Sequence, residues 1–265
     1  FLTRCSQGQS PYQAHAELTM GWSSGILKEQ DPELYALAKT RVLGLGYGSG
    51  WAKFLDTITA QGMVSVLDMP YDYKDEKDFL SWLEFVPSQH HYIETYNQAD
   101  GDDKRHMVNA WVQVMDFRKK NPLIKNAWDA HATAFAKAAG EEREYEIPLL
   151  SGRVMKFFNI RSELQGYSCK HAKGDKRRVR EYGSSLFQKS VQATARDIFA
   201  FQLDLLDQRG IKVVLHVHDE IVAEVPTEKL EESQMIIKEC MTTAPPWASD
   251  IPLDSSLEVT KTYLK

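Results

Sequence analysis

Cysteine is scarce in this chain. Cys5, Cys169 and Cys240 are odd in number and no two share C-x-x-C spacing, which excludes a disulfide framework and a zinc finger. An intracellular, reducing location is the expectation that follows, in the cytoplasm. No apolar run approaches the length that spans a bilayer, so no membrane partner is expected. Phe1-Leu2-Thr3-Arg4 has neither an initiator methionine nor the charged-then-apolar layout of a signal peptide, and the chain is expected to belong to something longer. Internal repeats and low-complexity tracts are absent too, which sets aside solenoids and disordered tails.

Positive charge is not in excess. The net charge is −5 and the pI about 5.9, a balance that by itself argues mildly against nucleic-acid binding, because phosphate contacts need clustered Lys and Arg. The distribution is uneven, however. Lys170 to Arg180 reads KHAKGDKRRVR, while Asp72 to Asp78 and Asp100 to Asp103 are acidic. The basic run reads equally well as a solvated surface loop. With 265 residues and 43% hydrophobic composition the chain can bury one large core or two lobes.

The hydrophobic periods divide the chain. Residues 33–55, ELYALAKTRVLGLGYGSGWAKFL, begin with good helix formers and then carry Gly44, Gly46, Gly48 and Gly50, which propensity alone does not explain. Between about 80 and 140 the pattern is helical, with Trp111, Val114, Met115 and Phe117 near one face, a loop near 97–103 and a stop at Asn121-Pro122. A long helix is expected from Gly183 to Gln208, ended by Arg209-Gly210. Ile211 to Val225, IKVVLHVHDEIVAEV, is β-branched and alternating, with His218-Asp219-Glu220 where a hairpin turn belongs. Glu228 to Cys240 reads as an amphipathic helix, followed by a final strand.

Two stretches carry chemistry. Adjacent carboxylates between hydrophobic strands are costly unless a cation compensates, which makes Asp219 the first candidate metal ligand. An isolated H-D-E is equally an ordinary polar turn. His216 and His218 suit a zinc-hydrolase pair, yet the usual Asp-then-His continuation is replaced by Glu220 and Ile221. The glycine run also has two readings. As a strand-then-loop, VLGLGYGSG resembles S-adenosylmethionine-dependent methyltransferases; strict G-x-G-x-x-G fails at Ser49 and Trp51, and Asp68 is the one decent ribose-gripping acid. As a helix, it places Tyr35, Lys39, Leu43 and Tyr47 on one face, a cation and two rings around an apolar residue, suited to a triphosphate and a base.

The helical reading carries a specific resemblance. KTRVLGLGYG at 39–48 resembles the fingers-helix motif of family A DNA polymerases, and HVHDEIVAEV at 216–225 resembles that family's palm motif. SGRVMKFFNIR at 151–161 is similar to the segment carrying a DNA-contacting arginine, and FQKSVQATARDI at 187–198 to the palm helix that follows the primer–template minor groove. SPYQAHAEL at 10–18 and PPWASDIPL at 245–253 are in the style of bacteriophage members.

The resemblance implies an α+β, right-hand polymerase architecture without a thumb, with helical fingers over 1–120 and a palm with a small antiparallel sheet over 121–265. It implies that Asp219 and Glu220 hold two Mg²⁺ ions and that His218 positions the primer end. Lys39, Leu43, Tyr47 and Tyr35 would face the dNTP, and Arg153, Gln188 and Gln192 the primer–template DNA.

Departures from the pattern qualify this. Tyr35 stands where the family has a phosphate-binding arginine, and Leu43 where it has an aromatic ring by the sugar. The family's other metal-binding Asp precedes the fingers motif by more residues than this chain supplies, so an upstream polymerase segment is the expected partner and the chain is expected to be inactive alone. The alternative is a non-catalytic DNA-binding or assembly subunit of a split polymerase.

Overall fold

The structure is a computed structural model, and it describes residues 2–23, 25–164 and 166–263. The helices of the first half are α1 (Leu2–Ser6), α2 (Pro11–Thr19), α3 (Leu27–Gln30), α4 (Pro32–Gly44), α5 (Trp51–Ala60), α6 (Tyr73–Phe85), α7 (His91–Gln98), α8 (Gly101–Lys120) and α9 (Pro122–Gly140). Strands β1 (Tyr145–Pro148), β2 (Val154–Glu163), β3 (Gly166–Lys170) and β4 (Val179–Glu181) form one sheet in that order. Helix α10 (Gly183–Gln208), the hairpin β5 (Val213–Val217) and β6 (Glu220–Ala223), and α11 (Leu230–Thr242) complete the chain. Among the described residues no helix is long and apolar enough to cross a membrane.

The chain divides into two compact units that interleave in sequence. The first holds Ser10–Tyr145 and Lys156–Gln188; the second holds Leu2–Gln9, Glu146–Met155 and Lys189–Lys265.

Helix boundaries in the first unit follow local chemistry. Asp31 caps α4 by accepting from the Leu34 N–H at 2.8 Å, and Asp100 caps α8 by accepting from the Asp102 and Asp103 N–H groups at 3.0 and 2.9 Å. Pro122 opens α9 at the position where a missing N–H costs nothing. The core is built where α5 presents Trp51, Phe54 and Ile58 to Phe79, Leu83, Val108, Trp111, Val114 and Phe117, all buried. Each such side chain contributes about 1.5–3 kcal/mol. Met115, expected on the same face of α8, is exposed instead. At 100° per residue it is rotated away from the stripe that Trp111, Val114 and Phe117 share.

Beneath α4 lies a buried polar group that the apolar pattern gave no sign of. Arg41 is 3% exposed, pairs with Asp116 at 2.9 Å and donates to Gln113. Burial raises the Asp116 carboxyl, but hydrogen bonds from Arg41 and Lys120 outweigh it and hold the group below its usual range. Beside them His15 is buried, and desolvation aided by the Arg41 charge lowers its pKa from 6.5 to about 4. The unfolded chain therefore binds more protons than the folded one between those values, and stability rises with pH across that window. Unfolding midpoints in urea are expected to fall steadily from pH 6.5 to 4, and to fall much less for His15→Gln, whose amide does not titrate.

The β1–β4 sheet was not anticipated strand by strand. Its register is antiparallel from β2 to β3 and from β3 to β4, with Tyr167 opposite Glu181 and Cys169 opposite Val179. Phe135 of α9 meets Tyr145, Phe157 and Tyr167 edge-on, with centroids 5.4, 6.1 and 6.0 Å away.

In the second unit Leu206, Ile211 and Cys240 are buried together between α10, the hairpin and α11. The Gln202 amide donates to the Met241 carbonyl at 2.7 Å. Gly210 ends the long helix at φ 74, the left-handed cap expected there. The tail after Ser249 contains no strand among its described residues, so the final strand expected from the sequence does not form in the chain as described.

Candidate functional site

Tyr35, Lys39 and Leu43 recur on one face of α4, and Tyr47 follows in a 3-10 helical turn over Leu45–Tyr47 rather than in the α-helix itself. The tighter turn carries the chain into Gly48, whose φ of 82 belongs to the left-handed region. A ring that the sequence reading did not single out joins this face. Tyr12 of α2 meets Tyr35 edge-on at 5.6 Å, and the Lys39 ammonium stands 6.0 Å from the centre of the Tyr12 ring. Burial, then the neighbouring Tyr35 and Tyr47 hydroxyls, raise the Tyr12 pKa. The signal for Tyr12 was present only as the third residue of SPYQAHAEL.

Lys39 is exposed and makes no hydrogen bond or ion pair with any described residue. It also borders a cleft of ≈ 400 Å³ between α4 and α5, walled by Thr40, Leu43, Ser49, Thr57 and Gln61. Leu43 is 44% exposed at the same rim. The face thus offers an uncommitted cation, aromatic rings and an apolar edge.

Of the second group of candidates, Arg153 and Gln192 lie in the second unit and Gln188 is the last residue of a first-unit segment. Arg153 is exposed, and its guanidinium bonds to Asp197 of α10 (Nε 3.0 Å, Nη2 2.8 Å) and reaches the Ala193 carbonyl at 3.5 Å. Ser151 donates to the same Asp197 carboxylate. Arg153 is therefore held beside the turn of α10 that carries Gln192, whose side chain is exposed. Gln188 lies one turn earlier on the helix and is half-buried.

Val217 pairs with Glu220 across β5 and β6, which leaves His218-Asp219 as a two-residue turn. His218 has φ 55. Tight hairpin turns of this length demand positive φ, usually supplied by Gly or Asn, and a bulky residue there is strained. Asp219 is exposed at the tip, with no hydrogen bond or ion pair to a described residue, and Glu220 is half-buried at the start of β6. Behind the tip His216 stacks edge-on with Phe199 of α10, 6.0 Å between centroids. The structure thus brings together Tyr35, Lys39, Leu43 and Tyr47 in one unit, and Arg153 with Gln192, and His218 with Asp219 and Glu220, in the other.

Residues 160–265, which include α10 and the hairpin, match DNA polymerase family A. The DNA polymerase of Bacillus phage SP02 is 33% identical over 184 residues, covering 60% of this chain and 27% of the relative. The thermostable DNA polymerase I of Thermus aquaticus is 24% identical over 256 residues, 94% of this chain and 23% of the relative. The chain thus spans about a quarter of the length of these curated relatives. The POL domain of Pol1 from M. smegmatis, solved in complex with a DNA primer-template and dNTP, shares the fold with a TM-score of 0.51 at 17% identity, over 96% of this chain and 34% of that one. The mixture of helices with small antiparallel sheets agrees with the α+β class expected for the family.

Proposed function

We propose that this chain carries nucleotide- and primer-binding parts of template-directed DNA synthesis, the transfer of a nucleotidyl group from a dNTP to a primer 3′-hydroxyl. The observation that carries the reading is the His218-Asp219 turn. A non-glycine residue is held at φ 55 there, and the carboxylate beside it is lifted into solvent with no described partner. Strained residues of that kind cluster at functional sites.

Asp219 and Glu220 offer only oxygen donors, the set that fits Mg²⁺. On that fit these two residues would hold the divalent ions the resemblance implies, and such ions would supply neutralisation of charge that builds on the transferring phosphoryl group. His218 positions the primer end. Lys39 takes the triphosphate, Leu43 and Tyr35 border the sugar and phosphates, and Tyr47 stands by the templating base. Arg153, Gln188 and Gln192 donate to minor-groove acceptors shared by all base pairs, which checks shape without reading sequence. The proposed setting is the cytoplasm of a bacterial host.

A further metal-binding aspartate is proposed to come from an upstream palm segment. The acid nearest the fingers helix, Asp31, is already committed to capping α4. The replacement of the phosphate-binding arginine by Tyr35 favours a second reading, a non-catalytic DNA-binding subunit of a split polymerase.

Primer extension with Mg²⁺ separates the readings, comparing this chain alone with the chain plus an upstream palm segment bearing an aspartate. Extension on complementation is the expected result. No extension in either case, with primer–template binding intact, would establish the non-catalytic subunit. Within an extending complex Lys39→Ala is expected to raise the apparent KM for dNTP by about tenfold, the worth of one charge-assisted hydrogen bond, with primer–template affinity little changed. Steady-state kinetics against dNTP concentration checks it.

A further inference from the structure

The basic run from Lys170 to Arg180 begins and ends on three side chains that converge. Cys169 lies on β3, His171 two residues further along the chain, and Glu181 on β4. The β3–β4 register puts Tyr167 opposite Glu181 and Cys169 opposite Val179. Opposed residues of an antiparallel pair share a face, so Cys169 and Glu181 project to the same side. His171 turns back over that face, and its Nε2 lies 2.7 Å from Glu181 Oε1. The thiol sulfur, the imidazole nitrogen and the carboxylate oxygen all fall within 4.8 Å of one another.

We propose that Cys169, His171 and Glu181 form a binding site for a transition-metal dication, Zn²⁺ by the chemistry of its donors. Thiolate, imidazole and carboxylate together are the ligand set of zinc; Mg²⁺ and Ca²⁺ take oxygen alone. The carboxylate is oriented for the task. Ser185 donates to Glu181 Oε2 at 2.6 Å, so that Oε1 is turned toward the histidine, the kind of support that ligating carboxylates receive.

Accessibility is graded across the site. The Cys169 residue and the Glu181 side chain are 0% exposed, whereas the His171 side chain is 39% exposed and forms the entrance. Three protein ligands leave a tetrahedral ion one position for water on that open side. Two of the nearby cations are engaged elsewhere. Arg178 donates to the Asn159 and Ser168 carbonyls at 2.7 and 2.8 Å, and Lys173 pairs with Glu144 at 3.3 Å. A bound ion ties the two ends of the basic segment to each other and, through Ser185, to the first turn of α10. This site shares no residue with the Asp219 turn and does not depend on the proposed polymerase activity.

Cobalt(II) titration of the metal-stripped, reduced chain tests the proposal. One equivalent is expected to produce the near-ultraviolet thiolate charge-transfer band and the visible bands of a tetrahedral ion, displaced by Zn²⁺ and not by excess Mg²⁺. Cys169→Ser is expected to abolish the charge-transfer band, while Cys5→Ser and Cys240→Ser keep it. His171→Ala, on the exposed side where folding is least at risk, is expected to weaken zinc binding by about a hundredfold or more. Absence of the band in the unaltered chain, its survival in Cys169→Ser, or unchanged zinc affinity in His171→Ala would each overturn the site.

Discussion

Asp219→Asn is expected to lower primer extension roughly a thousandfold in a complex that extends primers, with primer–template affinity within a few-fold of the parent. The size follows from what a carboxylate ligand does in phosphoryl transfer. Charge stabilisation through a bound cation is worth several kcal/mol, and each 1.36 kcal/mol is a factor of ten in rate. Asparagine keeps the size and the hydrogen-bonding capacity of the turn but loses the charge. Because Asp219 is exposed and bonds to no described residue, the substitution leaves the hairpin without a lost contact, and circular dichroism should be unchanged. A structural role for Asp219 would predict the reverse, a stability loss with partial activity. Asp219→Cys sharpens the test. A thiolate is a poor ligand for Mg²⁺ and a better one for a softer dication, so activity lost with Mg²⁺ should return in part with Mn²⁺. Rescue of that kind has no explanation if the side chain never meets a metal, and its absence together with full activity of Asp219→Asn would remove the proposed role.

Much of the helical frame was legible because it is written in local chemistry. Pro122 after Asn121, and Gly210 after Arg209, ended and opened helices where propensity and φ require it, and α10 runs over the residues its periodicity marked. The hairpin was legible for the same reason, a period of two on each side of one polar cluster. Its fine structure was not. Glu220 counts within the polar cluster by sequence, but the register makes it the first residue of β6 and leaves a turn of two. The β1–β4 sheet was missed because its strands lack clean alternation. Along β2 only Phe157 and Ile160 are buried, three residues apart, beside a register shift between Phe158 and Arg161.

Side-chain convergence over long separations was the other blind spot. Arg153 and Asp197 are each ordinary charged residues in sequence, yet their pairing fixes the arginine beside Gln192. Tyr12 joins the α4 face from another helix, and Glu181 meets His171, ten positions earlier in the chain, across the basic run. Cys169 was set aside for lack of a second cysteine at metal spacing. Its neighbours on the folded sheet come from strand pairing and not from spacing.

Gly48→Ala is expected to destabilise the first unit by about 3 kcal/mol, from two separable causes. The first is conformational. Gly48 has φ 82, and an L-residue in the left-handed region costs about 1–2 kcal/mol. The second is steric. A Cβ built on Gly48 falls 2.1 Å from Ser184 Oγ and 2.4 Å from Ser184 Cβ, and overpacking of this kind costs roughly 1–3 kcal/mol. Ser184 cannot swing clear, because its own Cβ is part of the clash and α10 is pinned there: a Cβ on the preceding Gly183 would lie 2.0 Å from the Trp128 carbonyl. The causes can be told apart by Ser184→Gly, which removes the clash and leaves the strain. The double variant should therefore recover part of the loss, giving a favourable coupling of about 1–2 kcal/mol in a double-mutant cycle. Tryptophan fluorescence in urea is dominated by the relevant unit, since Trp22, Trp51, Trp82, Trp111 and Trp128 lie in it and Trp247 alone lies in the other. A neutral Gly48→Ala would mean that the turn after Tyr47 does not approach α10 in solution, and a full loss with no coupling would assign the whole effect to φ. Either way the result bears on the proposed nucleotide face, because the same turn follows Tyr47 directly.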